Sequence, residues 1–427
     1  MTKRSKIKGS PKLALITGTL AFFIGFTAVS LFSVTVHKFS SILHLSIEEI
    51  GWLIAIPLLT GSLLRIPFGA LVEKYGGKKV ILTQLIIAFI GMLSIVIILF
   101  LNDVSYLLLL ISGAIAGTGI STFSSGIAYV SYWFPQRNQG FALGTFAGIG
   151  NTSPGIFTVI LPYLLSFGLT NVYLIWSLIV LFGIIIFFFF GQDVIYFRLR
   201  KEIGDKAINE AKTYGEEIFP SSNASKSIIN SAKEPKVWLL TIMYLTSFGG
   251  FEALTVWLPT YWQNFLHISI VEAGFLVGIL FSLLTALIRV LGGFLSDRIG
   301  GEKVSLISYS IIVLGSIIMI TSFKINTSLL GEISLAIGMG IANGAVYKMV
   351  PKYASNSVGG ASGLVGGLGS VGGIIIPPIM ASIVNLYGYD GYAYGFTLFI
   401  ILGLISILIA EILNKNLRCK NCFPNLK

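Results

Sequence analysis

GWLIAIPLLTGSLLRIPFGALVEKYGGKK, from Gly51 to Lys79, is the stretch that decides the fold. Its apolar run is long enough to cross a bilayer, and Arg65 sits well inside it. A charged side chain at that depth costs several kcal/mol, roughly 2.5–3.5 on insertion scales, so a membrane helix keeps one only where it faces a cavity, a partner or a ligand. The stretch returns 224 positions later. Arg65 maps onto Arg289, Gly69 onto Gly293, Leu71 onto Leu295, Glu73 onto Asp297, Gly76-Gly77 onto Gly300-Gly301 and Lys79 onto Lys303. The chain is two copies of one design, each with an arginine at the same depth.

Composition agrees with a polytopic membrane protein. Of 427 residues, 55% are hydrophobic and 11% charged, against about 25% charged in soluble chains. The 48 glycines suit close helix–helix approach in lipid. The basic start MTKRSKIKGSPK precedes an apolar run too long for a signal-peptide core, without a small-residue cleavage site, so a retained first helix is expected. The net charge of +11 follows topology rather than nucleic acid. Of the 29 Lys and Arg, only Lys38 and Lys324 fall on the outer side and Arg65 and Arg289 within spans. That bias places both termini in the cytoplasm.

On a ruler of about 20 apolar residues per span, twelve spans are expected. They run over 13–36, 51–72, 80–101, 106–131, 140–167, 171–191, 237–262, 271–295, 304–323, 328–350, 358–386 and 391–413. The fold class is therefore an all-α membrane protein in two pseudo-symmetric six-helix halves, 1–191 and 237–427. Residues 192–236 form a cytoplasmic linker with eight Lys/Arg and seven Asp/Glu. Its first part reads as a surface helix, and PSSNASKSIINSAKEP as a flexible, solvated connector. The repeat extends further: ALGTFAGIGNTSPG (142–155) answers ASGLVGGLGSVGG (361–373) at an offset of 219, and AGTGIS (116–121) answers IGMGIA (337–342). Two parallel halves joined by a long loop are the layout of major facilitator transporters.

Two candidate sites follow from the residues. GALVEKYGGKK (69–79) and GGFLSDRIGGEK (292–303) resemble the signature loop of the major facilitator superfamily and its repeat. An acid at a helix C-terminal end is disfavoured by the dipole unless it pairs. Glu73 and Asp297 are thus candidate gating residues, with Lys79 and Lys303; Glu73 departs from the aspartate usual in that motif. Arg65 and Arg289 each precede their acid by eight residues, about 12 Å along a helix, close to the middle of a core about 30 Å thick. Small residues share their faces: Gly61 and Gly69 beside Arg65, Thr285 and Gly293 beside Arg289. The simplest partner is an anion held by both, because guanidinium is planar, always charged and matches planar oxyanions bidentately.

The resemblance then becomes specific. LLRIPFG (63–69), YWFPQRNQGFALGTFAGIGNTSPG (132–155), SFGGFEALTVWLP (247–259), NGAVYKMVPKY (343–353) and GLVGGLGSVGGIIIPP (363–378) are similar to the nitrate/nitrite porter family, across nearly the whole chain. The resemblance implies that Arg65 and Arg289 clamp the anion. It adds Phe123, Asn151, Tyr244 and Phe248 to the substrate site, with Ser370 as the repeat counterpart of Asn151. Glu252 is an acid inside the seventh span, a candidate for proton coupling.

The expected function is secondary active transport of nitrate or nitrite by alternating access, by anion exchange or proton-coupled uptake, in the cell (plasma or inner) membrane. The halves would rock about the bound anion. A small-carboxylate (formate- or oxalate-type) antiporter would also want paired positive charge, and anion binding assays separate the two. A non-transporting anion sensor would carry a signalling domain, where this chain has a 45-residue loop and a short tail. The sequence offers no catalytic constellation, so no enzyme, and no cofactor or metal is expected. The partners expected are a small inorganic anion and the lipid bilayer, not nucleic acid, with the chain as a monomer. Cys419 and Cys422 form a lone CxxC, short of the four ligands that zinc takes, and read as a solvated reduced tail. His37, His44 and His267 fall in outer loops.

Overall fold

The structure is a computed structural model and describes residues 10–422 apart from 34 and 222. The basic run before Ser10 lies outside the described residues. So do the side chains of 47, 48, 158, 159, 162, 205, 270 and 416–422, with those of Cys419 and Cys422. Among the described residues there are helices and no strand. Eleven helices among the described residues are long and apolar enough to cross a membrane. The fifth expected span is the exception. It is broken at Asn151–Thr152 into Gln139–Gly150 and Ser153–Leu164, 12 residues each and too short alone. Pro154 stands in the first turn of the second piece, where its missing N–H costs nothing.

Local chemistry sets the helix ends. Ser46 and Glu49 form a capping box at the start of the second span, Ile47–Tyr75. The turn into the third span, Gly77–Phe100, rests on Gly76 at φ 85°, and the repeat uses Gly300 at φ 91° between Leu284–Ile299 and Gly301–Thr321. Side chains with a Cβ rarely adopt that backbone. Asp193 accepts from Lys78 N–H at 2.8 Å and so caps the third span. Burial pushes its carboxyl above the usual range, against the backbone N–H groups that hold it down.

The chain forms two compact units, and each contains a stretch from the other half of the sequence. The first comprises Met1–Gln136, Ile149–Glu234 and Ala354–Gly367; the second, Arg137–Gly148, Pro235–Tyr353 and Leu368–Lys427. Lipid is as apolar as leucine, so helices in it associate through close backbone approach and hydrogen bonds of about 0.6 kcal/mol each. Both are visible. In the first unit Trp176 Nε1 donates to Thr27 Oγ1 at 2.9 Å and the Tyr173 hydroxyl to Leu31 O at 2.8 Å. In the second, a Cβ on Gly292 would stand 2.4 Å from Ile341 O, and one on Gly344 would stand 2.5 Å from Arg289 O. Phe100, Phe182 and Phe189 are among the exposed apolar side chains, as a lipid-facing surface requires.

The linker is not a solvated connector. It forms the helices Ile195–Ile203, Ala207–Thr213 and Ala224–Lys233. Tyr196, Leu199, Ala207, Ala211 and Ile218 are buried with Val72, Val80, Tyr132 and Val358 of the first unit. Ala224–Lys233 is docked rather than solvated: Ser227 and Ser231, one turn apart, point into the protein, where both are 0% exposed.

Candidate functional site

Arg65 is 0% exposed. The eleventh span's first helix, Val358–Ser370, approaches it through glycines: a Cβ on Gly363 would stand 2.7 Å from Arg65 O, and one on Gly367 would stand 2.8 Å from Ser62 O. That closeness lets Arg65 Nη1 donate to Gly366 O at 2.9 Å. The guanidinium carbon lies 5.0 Å from the centroid of the Phe123 ring, which packs on Phe22 at 5.3 Å.

Arg289 is 1% exposed and follows the π-helical stretch Leu276–Leu283. Gly144 and Gly344 both stand against its carbonyl. Its Nη1 donates to the Tyr244 hydroxyl at 3.3 Å. The seventh span turns π-helical at Leu245–Gly249, and this wider turn lays Phe248 parallel to Tyr244, centroids 4.8 Å apart and planes at 4°. Tyr347 meets Tyr244 edge-on at 4.8 Å. The guanidinium carbon is 5.4 Å from Tyr347, 5.7 Å from Tyr244 and 5.9 Å from Phe248. A desolvated cation over such a ring gains about 2 kcal/mol. Tyr347 belongs to this group and sequence reading passed over it. The signal was present in NGAVYKMVPKY, but nothing in that stretch says which face turns inward.

Asn151 and Ser370 mark breaks at equivalent places. Asn151 follows Gln139–Gly150 and is 6% exposed; Ser370 ends Val358–Ser370 and is 1% exposed. A new helix starts just beyond each, Ser153–Leu164 and Gly372–Tyr387. A helix N-terminus inside a span presents N–H groups and partial positive charge, which favour an anion. Glu252 is partly exposed, and a Cβ on Gly373 would meet its Oε2 at 3.0 Å.

At the ends of the second and eighth spans, Asp297 Oδ1 is 2.5 Å from Lys348 Nζ and accepts from Gly140 N–H at 2.8 Å; its Oδ2 accepts from Phe141 N–H at 2.7 Å. Glu73 accepts from Gly359 N–H and Ser221 N–H, both at 2.6 Å, and from the Ser227 hydroxyl at 3.3 Å. Lys79 Nζ sits 5.3 Å from the Tyr75 ring, and Lys303 is exposed. Its neighbour Glu302 is buried and bonds Lys352 at 2.6 Å and the Tyr353 hydroxyl at 2.5 Å. Lys348, Lys352 and Glu302 are further residues that sequence reading missed. Among the described residues no group of His, Cys, Asp and Glu is arranged to hold a metal ion.

The chain matches the model of the Major Facilitator Superfamily over residues 18–355 and 266–415. It is 31% identical over 388 residues to a probable nitrate/nitrite antiporter NarK1 of Thermus thermophilus, covering 85% of this chain and 83% of that one. The chain belongs to the nitrate/nitrite porter family of the Major Facilitator Superfamily. A probable nitrate transporter NarT of Staphylococcus epidermidis is 30% identical over 410 residues, 96% of this chain and 97% of that one. Among solved structures, the superfamily transporter FucP in the outward conformation aligns with TM-score 0.71 at 15% identity, over 93% of this chain and 98% of that one. The human organic anion transporter MFSD10 aligns with TM-score 0.69 at 15% identity, over 94% of this chain and 100% of that one. Those two likenesses show the fold. This porter is a multi-pass membrane transporter with the major facilitator fold.

Proposed function

We propose that this porter moves nitrate or nitrite across the cell membrane by alternating access, and that Arg65 and Arg289 both bind the anion. One observation carries the reading: two repeat-equivalent guanidinium groups are buried at 0% and 1% exposure, each against aromatic rings. A guanidinium offers parallel N–H donors that match a flat oxyanion. Phe123, Tyr244, Phe248 and Tyr347 exclude water around them. Asn151 and Ser370 add neutral donors beside helix N-termini. The relatives named for nitrate and nitrite supply the substrate class. The surplus of Lys and Arg on one side puts both termini in the cytoplasm. Glu73, Lys79, Asp297 and Lys303, with the linker 192–236, belong to the cytoplasmic gate.

Lysine keeps the charge and loses the fork, so Arg65→Lys and Arg289→Lys should each weaken nitrate binding. Losing a charge-assisted hydrogen bond costs about 1.5–3 kcal/mol, roughly 10–100-fold in Kd. The measurement is nitrate binding and counterflow in proteoliposomes at matched protein level, with nitrite, formate and chloride as competitors. Parent-like nitrate binding by either variant overturns the assignment of that arginine. Formate outcompeting nitrate moves the substrate to small carboxylates.

A further inference from the structure

Glu332 lies in the tenth span, Ile325–Tyr353, and is 0% exposed. Its Oε2 accepts from Trp262 Nε1 at 2.5 Å. Its Oε1 has no hydrogen-bond partner among the described residues, and among them Glu332 is in no ion pair. The seventh span supplies Trp262 and Tyr261, both buried, and the Tyr261 hydroxyl bonds Ser328 one turn before Glu332 at 2.8 Å. The ninth span supplies Met319, against Gly331. Phe396 packs edge-on to Tyr261 at 5.4 Å. Lys324, on the turn that leads into the span, is exposed.

This setting suits a carboxylic acid. A neutral acid is far cheaper to bury than a carboxylate: the indole N–H serves one oxygen, and only an uncharged O–H is left at the other. A buried carboxylate calls for a cation or several donors. We propose that Glu332 is a proton-binding site of the transport cycle, closed by Trp262 in this conformation and opened when the outer part of the seventh span moves. The inference rests on the reading of the chain as an anion transporter.

The backbone gives the movement a place to occur. The tenth span is one helix of 29 residues, carrying Glu332 at one end and Tyr347 beside Arg289 toward the other. The seventh span is π-helical at Leu245–Gly249, between Tyr244 beside Arg289 and the helix Gly250–Asn264 that carries Trp262. Such stretches mark functional sites inside helices. The two helices whose side chains lie over the Arg289 guanidinium are thus the two joined by the Trp262–Glu332 bond. A shift of one against the other at the arginine is read at Glu332. One proton taken with one monovalent anion leaves the step electroneutral, so uptake would not work against the membrane potential.

The test compares the parent, Glu332→Gln and Glu252→Gln in proteoliposomes holding a pH dye, with a nitrate gradient imposed. Nitrate counterflow without a pH gradient is measured beside it. Glutamine keeps the acceptor for Trp262 and carries no exchangeable acid. The expected result is proton movement with nitrate in the parent, its loss in Glu332→Gln, and retained counterflow in that variant. Trp262→Phe removes the donor and keeps the bulk, and should shift the pH dependence of uptake if Glu332→Gln does not fold. Proton flux retained in Glu332→Gln overturns the proposal. So does its loss in Glu252→Gln alone, which assigns the proton to Glu252. A parent that exchanges nitrate with no proton flux also overturns it while leaving anion transport intact. A parent without nitrate counterflow instead removes the reading on which the proposal rests.

Discussion

Glu73 and Asp297 hold the same place in the two copies of the repeat and are satisfied in different ways. What they share is a helix start. Gly359 N–H bonds Glu73 at 2.6 Å and Gly140 N–H bonds Asp297 at 2.8 Å, and these glycines are counterparts at the offset of 219. What differs is the remaining partner. Asp297 takes a cation, Lys348. Among the described residues Glu73 is in no ion pair and takes neutral donors from the linker, Ser221 N–H and the Ser227 hydroxyl. The offset of 221 between the fourth and tenth spans maps Lys348 onto Ile127, which cannot pair. The linker occupies that role. Ser227 also accepts from Gly360 N–H at 3.0 Å, and Ser231 donates to Ser357 O at 3.1 Å. The longer side chain of glutamate adds a methylene of reach. A duplicated acid can therefore be held by a charge or by a neutral insert, and the insert ties it to a segment outside the repeat.

Removing the third partner should break the two ends unequally. Lys348→Met leaves the partly exposed Asp297 with backbone N–H groups alone; breaking a fully buried pair costs about 3–5 kcal/mol, and solvent at this end brings the loss to the lower part of that range. Asp297→Asn combined with Lys348→Met should recover most of that loss, because no charge is left without its partner. Glu73→Gln keeps one acceptor oxygen and turns an NH2 toward donors, about 1–3 kcal/mol. Thermal unfolding of the purified protein in one detergent ranks the three. Equal losses at Glu73 and Lys348 would show that the neutral cap is as charge-dependent as the ion pair, and the contrast would fall.

A smaller effect sharpens the contrast. Ser227→Ala removes the bonds to Glu73 and from Gly360 N–H, and Ser231→Ala the bonds to Ser357, each worth about 0.5–1.5 kcal/mol. The consequence should be local: faster amide exchange across Ala224–Lys233 and at Gly359 and Gly360, with the exchange of Gly140 and Phe141 unchanged. Equal acceleration at Gly140 would mean that the linker acts on the fold as a whole and not on the Glu73 end.

Much of this was legible in the sequence. The arginines, the turn glycines and the repeat offsets stand in the letters, because a charge at membrane depth and a positive φ each admit few residue types. The aromatic residues around Arg289 were legible only through family resemblance. The break at Asn151 was not legible, because apolar residues continue across it and glycine serves close packing as well as helix ends. Nor were the π-helical stretches, which change hydrogen-bond register without changing composition. The docking of Ala224–Lys233 was hidden because its inward face is serine, and serine reads as solvent. Lys348 and Glu302 were passed over for the opposite reason: a charged residue near a span end reads as solvated until a helix packs over it.

The smallest effect concerns how the linker responds to pH. Glu216 accepts from Tyr196 N–H at 3.3 Å, beside the buried residues Ala211 and Ile218. Burial pushes its carboxyl from 4.5 up to about 7, against the backbone N–H groups of Tyr196 and Ile195 that hold it down. The docked linker therefore binds the proton more tightly than the free one. Its contribution to docking is fully present below pH 4.5 and is lost as pH rises through about 7. Glu216 is partly exposed, so solvent screens part of the effect and it should be modest. Amide protection across Ile195–Ile203, corrected for the intrinsic pH dependence of exchange, should fall as pH is raised from 5 to 8. Glu216→Gln should flatten that profile and keep the high protection of the acid form. A parent whose protection is level across this range, or a glutamine variant that still follows pH, would place the response elsewhere. The linker's hold on the first unit would then depend on its serines and apolar residues alone.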